Sequence, residues 1–276
     1  MLIVLKYGGN AMGTPAARDP VLDDLAERVR AGDRVVLVHG GGPQIDAALA
    51  ERGIGQRRVA GLRVTDAATL EVTEFVLCAT VNKALVRALA ARGVRAVGVS
   101  GEDGDLLIAR ALTPIGGESL GFVGEVLRVD PSSLAALLDA GFVPVVAPLG
   151  RSEDAATALN LNADTAAGAI AGALRADAYL VLTNVDRVRL RLDDPTSGIA
   201  ALTAAQARGY LADGTFDGGM IPKMESALAA LTAGARRAIV AGGDGAGNPI
   251  AAALAGAGTH LTGDAPGSSG PPLVPR

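Results

Sequence analysis

The sequence predicts an α/β protein built on a mainly parallel sheet with helices on both faces. Three observations carry that expectation. Short β-branched runs alternate with amphipathic segments of helical period along the chain. The run from Arg34 to His39 is apolar without a break (Val35, Val36, Leu37, Val38), as in a strand covered on both sides. Glycine clusters follow strands where the chain turns towards the next helix.

The elements follow in order. Residues 3–5 form a strand. Asp19 and Pro20 give an N-cap and first helical residue, Leu22, Leu25 and Val29 form the apolar stripe, and Gly32 ends the helix. The strand at 34–39 runs into Gly40-Gly41-Gly42, and Pro43 opens a helix that stops at Gly53. A long helix occupies 66–91 and a strand 94–99. Residues 106–128 show no helical period. Gly116-Gly117 and the alternation of Phe122, Val123 and Val126 predict β-hairpins there. Asp130-Pro131 starts a helix, and 143–147 is a strand. Helices at 163–174, 203–212, 221–233 and 249–254 alternate with strands at 179–182 and 238–241. A lobe boundary is expected near Asp177, separating 1–176 from 177–262. From Gly263 the composition turns to Gly, Ser and Pro, which predicts a flexible tail over 263–276. Its Leu273-Val274-Pro275-Arg276 reads as a protease-site remnant.

Composition excludes several classes of function. The 276 residues amount to one or two units at about 150 residues each. With 49% apolar and 20% charged residues, the chain is not disordered. Aromatics are 3% and Trp is absent, so the core is aliphatic and no base-stacking platform is expected. A net charge of −4 argues against nucleic acid or an anionic membrane as partner. Cys78 is the single cysteine, and His39 and His260 are the two histidines, so no Cys/His metal site is expected. No apolar run reaches the roughly 18 residues of a membrane span. The apolar stretch at residues 1–6 is too short for a signal peptide and lacks a basic leader. A cytoplasmic protein is the expectation.

The glycine clusters point to anion binding. Lys6-Tyr7-Gly8-Gly9-Asn10 and His39-Gly40-Gly41-Gly42-Pro43 follow the first two long strands, and Gly242-Gly243-Asp244-Gly245 follows a late one. Glycine allows positive φ and lets backbone N–H groups approach an anion, and a helix N-terminus adds positive charge. Neither the P-loop pattern nor the dinucleotide fingerprint is present. A rival pattern is a serine hydrolase. Gly117-Glu118-Ser119-Leu120-Gly121 matches G-x-S-x-G, the 39–42 segment matches a lipase-type oxyanion loop, and His260 supplies a base. That elbow needs a strand before Ser119 and a helix after it, and the sequence predicts neither.

Seven segments in order resemble the amino acid kinase family. They are Lys6 to Gly9, Val38 to Ile45, Gly61 to Thr65, Asn82-Lys83, Gly121 to Val126, Asn160 to Asp164 and Gly218 to Lys223. Within that family they are similar to the branch that phosphorylates N-acetyl-L-glutamate in arginine biosynthesis. The resemblance implies a three-layer αβα sandwich with an acyl-amino acid lobe and an ATP lobe. It implies that Lys6 and Lys223 act on the phosphoryl group, with Asp164 orienting both. Gly8 and Gly9 would cradle phosphate. Gly41, Gly42, Arg63 and Asn160 would hold the acyl-amino acid, Arg63 through its α-carboxylate. The hairpins of 106–128 would cover the acyl group. ATP would lie against Asn184, Val185, Asp186, Phe216, Asp217 and Met220, with Mg2+ held by phosphates and water and no metal-ligating residue of its own. Asn184 stands where the branch usually carries Asp, and Arg187 where it carries a turn glycine. Asn184 is closer to kinases of carrier-linked aminoadipate, the alternative substrate. The first strand starts at residue 2, without the amino-terminal helix of arginine-regulated hexamers, so a homodimer insensitive to arginine is expected.

Overall fold

The computed structural model describes residues 1–8, 19–154, 157–191, 193–243 and 247–264. Its centre is an eight-stranded sheet. With strands numbered along the chain, the order across the sheet is β12 (Ala201–Thr203), β14 (Thr259–Thr262), β13 (Ala238–Gly242), β11 (Ala178–Thr183), β1 (Leu2–Tyr7), β2 (Arg34–His39), β8 (Val143–Ala147) and β5 (Ala96–Ser100). All neighbours are parallel except β13 and β14. The central strands are buried along almost their whole length, which is why they read as unbroken Val, Leu and Ile.

Helices cover both faces, giving the three layers. One face packs Val4, Val36, Val146, Tyr179 and Val240 beneath α5 (Ser132–Asp139), α6 (Ala163–Ala173), α7 (Ala204–Ala212) and α8 (Met220–Thr232). The other packs Ile3, Leu5, Leu37, Val145 and Ile239 beneath α1 (Pro20–Arg30), α2 (Gly42–Glu51), α3 (Ala67–Glu74), α4 (Asn82–Ala90) and α9 (Pro249–Leu254). Alternate residues of each strand serve opposite faces, so the register fixes what each helix meets. Asp19 caps α1 as its sequence predicts, accepting from the N–H groups of Val21 and Leu22. No helix among the described residues is long and apolar enough to cross a membrane.

The predicted hairpin region is β6 (Leu107–Ala111) paired antiparallel with β7 (Val123–Val129). It closes into a small barrel with β9 (Leu149–Ser152) and β10 (Ala158–Leu161), two strands the sequence does not announce. β12 and β14 are also unannounced, as is the hairpin of β3 (Arg58–Val59) and β4 (Leu62–Arg63). Each is two to four residues long, too short for a period-2 pattern to register. The long helix of 66–91 is interrupted by a π-helical stretch, Phe75–Val81, between α3 and α4. Its wider turn re-phases the helix and delivers Asn82 to the core.

Several boundaries shift by one or two residues, and two of the differences involve aspartates. Pro131, not Asp130, is the residue preceding α5, while Asp130 accepts from Ser132 N–H. Asp264, placed in the tail by composition, is held by Ala205 N–H at 2.6 Å and by Arg208 at 2.7 Å. The rest of the tail, 265–276, lies outside the described residues.

Candidate functional site

The carboxyl ends of the parallel strands are where ligands of such sheets bind, and the candidate residues lie there. Lys6 lies near the end of β1, in register with Val38 and Val181. It shares a sheet face with Val4, so it points towards α6 and α8. Asp164 sits in the first turn of α6, whose N-cap is Asn162. The Asn162 side chain accepts from Asp164 N–H at 2.8 Å and Thr165 N–H at 3.2 Å. Lys223 lies in the first turn of α8.

The three charges meet. Lys6 Nζ stands 3.0 Å from Asp164 Oδ1, and Lys223 Nζ stands 3.2 Å from Oδ2. One carboxylate thus separates two ammonium groups, leaving a net positive charge in a buried place. Burial pulls the Lys6 pKa below its usual value, Asp164 raises it, and Lys223 lowers it again. Such a cluster attracts further negative charge.

A cavity of about 240 Å³ opens beside it, lined by Lys6, Gly41, Gly42, Arg63, Asn160 and Asp164 among others. Six residues singled out from the sequence therefore share one cleft. The N-termini of α2 and α6 both face it, since Gly42 and Ala163 are lining residues. Gly8 backs it closely: a Cβ there would lie 2.9 Å from Gly40 N, and Gly40 N–H donates to Tyr7 O at 2.9 Å. None of the glycines of 40–42 has the positive φ that sequence reading allowed. Gly41 serves close approach instead, since a Cβ there would lie 2.6 Å from Leu77 Cδ2, whereas one on Gly42 would meet open space. Gly9 lies outside the described residues.

Arg63 is buried and already engaged. Its guanidinium meets Asp46 of α2, donates to Gln56 Oε1 at 2.8 Å and to Gly42 O at 3.3 Å. Arg58, directly across the hairpin, also binds Asp46 and lines the cleft. Sequence reading missed Arg58, although two arginines straddling Gly61 were a visible signal. Asn160 donates to Thr65 Oγ1 at 3.2 Å, and Thr65 Oγ1–H donates to Arg63 O at 2.9 Å. Tyr179 was missed as well. Its buried hydroxyl donates to Asp164 O at 2.9 Å and lies 3.2 Å from Ser226 Oγ, one turn beyond Lys223. Burial, with the charge of Asp164, keeps that phenol protonated far above pH 10.

The expected nucleotide residues divide. Val185, Phe216, Asp217 and Met220 line a cavity of about 100 Å³ with Arg187 and Arg189. Asp186 lines a different one of about 350 Å³ against Gly242, Asn248 and α9. Asn184 lines neither and instead accepts from Thr183 Oγ1–H at 3.2 Å. Phe216 is also less available than expected. It is 3% exposed and packs edge-on against Tyr210 with centroids 5.5 Å apart. Met220 and Lys223 lie three apart on α8, so one helical face joins the smaller cavity to the charge cluster.

The serine hydrolase pattern dissolves. Ser119 lies beside a turn between β6 and β7, where its Oγ accepts from Gly121 N–H. His260 sits on β14 at the far side of the sheet, 3.1 Å from Ala257 O. His39 is wholly buried. No strand–turn–helix elbow surrounds the serine. Among the described residues, no group of three or more His, Cys, Asp or Glu side chains is placed to hold a metal ion.

Known proteins are similar to this chain over most of its length. An acetylglutamate kinase of Jannaschia sp. (strain CCS1) is 46% identical over 242 residues, covering 88% of this chain and 82% of that protein. An acetylglutamate kinase of Methanopyrus kandleri is 46% identical over 240 residues, covering 86% and 93%. Among solved structures, N-acetylglutamate synthase from Neisseria gonorrhoeae, complexed with coenzyme A and N-acetyl-glutamate, superposes with a TM-score of 0.80 at 27% identity. The match covers 96% of this chain and 60% of that one. The sequence profile of the amino acid kinase family matches residues 1–242, and the chain belongs to that family.

Proposed function

We propose that this chain transfers the terminal phosphoryl group of ATP to the side-chain carboxylate of N-acetyl-L-glutamate, an acyl-phosphate-forming step of arginine biosynthesis. The observation that carries the reading is the pair of ammonium groups on one buried carboxylate beside a cleft lined by the first residues of α2 and α6. The similarity to acetylglutamate kinases over most of the chain supports it.

The chemistry suits these residues. The acceptor is a carboxylate, ionised at neutral pH, so no general base is needed. A carboxylate oxygen bonds to the γ-phosphorus as the bond from phosphorus to the β,γ-bridging oxygen breaks, and ADP leaves with the electron pair. The obstacle is repulsion between two anions and charge on the moving phosphoryl group. Lys6 and Lys223 neutralise that charge, and Asp164 holds both in place. Gly8, Gly41 and Gly42 offer backbone donors, and Arg63 with Asn160 orients the acyl-amino acid. ATP lies along Val185, Asp217 and Met220. Magnesium, when bound, would be held by the nucleotide phosphates and water and would supply charge neutralisation there, since both oxygens of Asp164 face lysines.

The division of labour runs along the chain. The cleft beside Lys6 is lined by residues 6–164 and the smaller cavity by 185–220, which supports an acyl-amino acid lobe over 1–176 and an ATP lobe over 177–262. We read the protein as a cytoplasmic homodimer. A coupled ADP-release assay tests the activity with acetylglutamate, acetylaspartate and acetylaminoadipate compared under identical conditions. Turnover is expected with acetylglutamate above the other two. Absence of acetylglutamate-dependent ADP release overturns the reading, and preference for the longer acid redirects it to the aminoadipate branch.

A further inference from the structure

His39 and Asn82 take no part in the chemistry above, yet both are buried beneath the glycine loop. His39 is 0% and Asn82 1% exposed. The imidazole Nδ1 lies 2.9 Å from Gly40 O, and Nε2 lies 3.2 Å from Asn82 Nδ2. Two partners fix which way the Asn82 amide points. Its Nδ2 donates to Val145 O at 2.8 Å, and its Oδ1 accepts from Lys83 Nζ at 3.2 Å. Reversing the amide would set oxygen against oxygen and nitrogen against nitrogen. Lys83 is itself held by Gly98 O at 3.0 Å. Gly98 makes room for the arrangement, for a Cβ there would fall 1.8 Å from Asn82 Oδ1.

The orientation has a chemical consequence. The Asn82 amide nitrogen, which also faces Val99 O at 3.3 Å, has no lone pair for an Nε2–H, and Gly40 O can only accept from Nδ1, so both contacts place the ring proton on Nδ1. Nδ1–H then donates to Gly40 O and holds that carbonyl towards the ring. The Gly40–Gly41 peptide is trans, so the Gly41 N–H points the opposite way, away from the imidazole. Gly40 and Gly41 both line the cleft that holds Lys6 and Asp164.

We propose that His39 and Asn82 are positioning residues for the phosphoryl transfer: Asn82 sets the imidazole tautomer, and the Nδ1–H of His39 aims the Gly41 amide at the acceptor carboxylate. The proposal rests on the kinase reading for its kinetic consequence, but its tautomer does not. The chain has two histidines, so the side-chain 15N spectrum of the whole protein is simple to assign. At neutral pH the His39 signal is expected to show a proton on Nδ1 and none on Nε2. The opposite tautomer overturns the proposal without reference to any substrate.

Kinetics test the rest. Asn places an amide where His has Nδ1, and Gln places one where His has Nε2. His39→Asn is therefore expected to keep most of the wild-type kcat, and His39→Gln to lose about tenfold or more with the KM for ATP little changed. Equal losses in the two, or the reverse order, overturn the proposal. Asn82→Asp is nearly isosteric and reverses the polarity facing Nε2, and it serves even where the His39 variants do not fold. Its kcat is expected to drop about tenfold, and an unchanged kcat counts against the proposal. Wild-type turnover in the same assay separates the two readings. An inactive wild type indicts the kinase reading and leaves the tautomer result standing.

Discussion

Asp164 is the residue on which the site depends. Two lysines distant in sequence meet on it, 59 positions apart in the case of Lys223. Removing Lys6 or Lys223 as Ala should lower turnover by about 100- to 1,000-fold, in the range of losing one preorganised donor to transition-state charge. Steady-state kinetics on folded protein read this, with acetylglutamate KM less affected in Lys223→Ala. Turnover within a few-fold of wild type in either variant would remove that lysine's role. His39 gives a second prediction at this scale. Burial, against the hydrogen bond to Gly40 O and with Lys83 nearby, holds its pKa down to about 4 from 6.5. Between those values the unfolded chain takes up a proton that the native imidazole refuses. Stability from this group is complete above pH 6.5 and declines towards pH 4, by about 3 kcal/mol in all. Urea unfolding at pH 7 and pH 5 should show that slope, and His39→Asn should flatten it. Legibility at this scale followed chemistry. Lys6 stood out because Gly8 and Gly9 follow it, Lys223 because it closes the segment from Gly218 that resembles the family, and Asn162 because it precedes a helix. Tyr179 and Thr65 were hidden, since a hydroxyl in an apolar strand or a loop carries no local pattern that marks its distant partner.

At the scale of elements, α6 and α8 carry the precision of the site. They approach closely because Gly168 and Gly172 leave space: a Cβ on Gly168 would lie 2.6 Å from Ser226 O, and one on Gly172 would lie 2.4 Å from Ala233 Cβ. The first contact is with backbone and cannot be relieved by a rotamer. Gly168→Ala should therefore force the helices apart, cost about 1–3 kcal/mol in denaturant unfolding and lower kcat, because Asp164 and Lys223 ride on the two helices. Wild-type stability and kcat together would contradict this. Tyr179→Phe is the milder probe. Asp164 O lies inside α6 and Ser226 Oγ–H can donate to Lys223 O at 2.9 Å, so each keeps a partner when the phenol is lost. The expected result is near-native stability with a kcat reduced several-fold. The sequence made both helices legible through their periodicity. It did not make the π-helical stretch before Asn82 legible, because one wide turn lies inside an otherwise regular apolar pattern. Nor did it reveal β9 and β10, where Asn160 gains its place by strand pairing with β7 and β9 and not by helix proximity.

At the scale of the whole molecule, one sheet supports the cleft beside Lys6 and the smaller cavity beside Met220. Its parallel core was legible from the uninterrupted aliphatic runs, and its reversal at β13–β14 was not, since β14 (Thr-His-Leu-Thr) is too short to carry a pattern. The cleft was legible as a set of motifs in order, though not in its details. Arg63 was expected to await a carboxylate, and the fold gives it Asp46, which joins Arg58 in the same cluster. Asn184 was expected to touch the nucleotide, and it lines neither of the two cavities described above. In the proposed reaction, what ties these regions together is the carboxylate shared between the lysines. The measurement that addresses it most directly is single-turnover transfer of labelled γ-phosphate to acetylglutamate by Asp164→Asn, beside the wild type. The side chain keeps its size and loses its charge, so both ammonium groups lose their common anchor. Transfer is expected to slow by about 100-fold or more in a protein that remains folded. Transfer within about threefold of the wild-type rate would contradict the idea that this carboxylate organises the reaction.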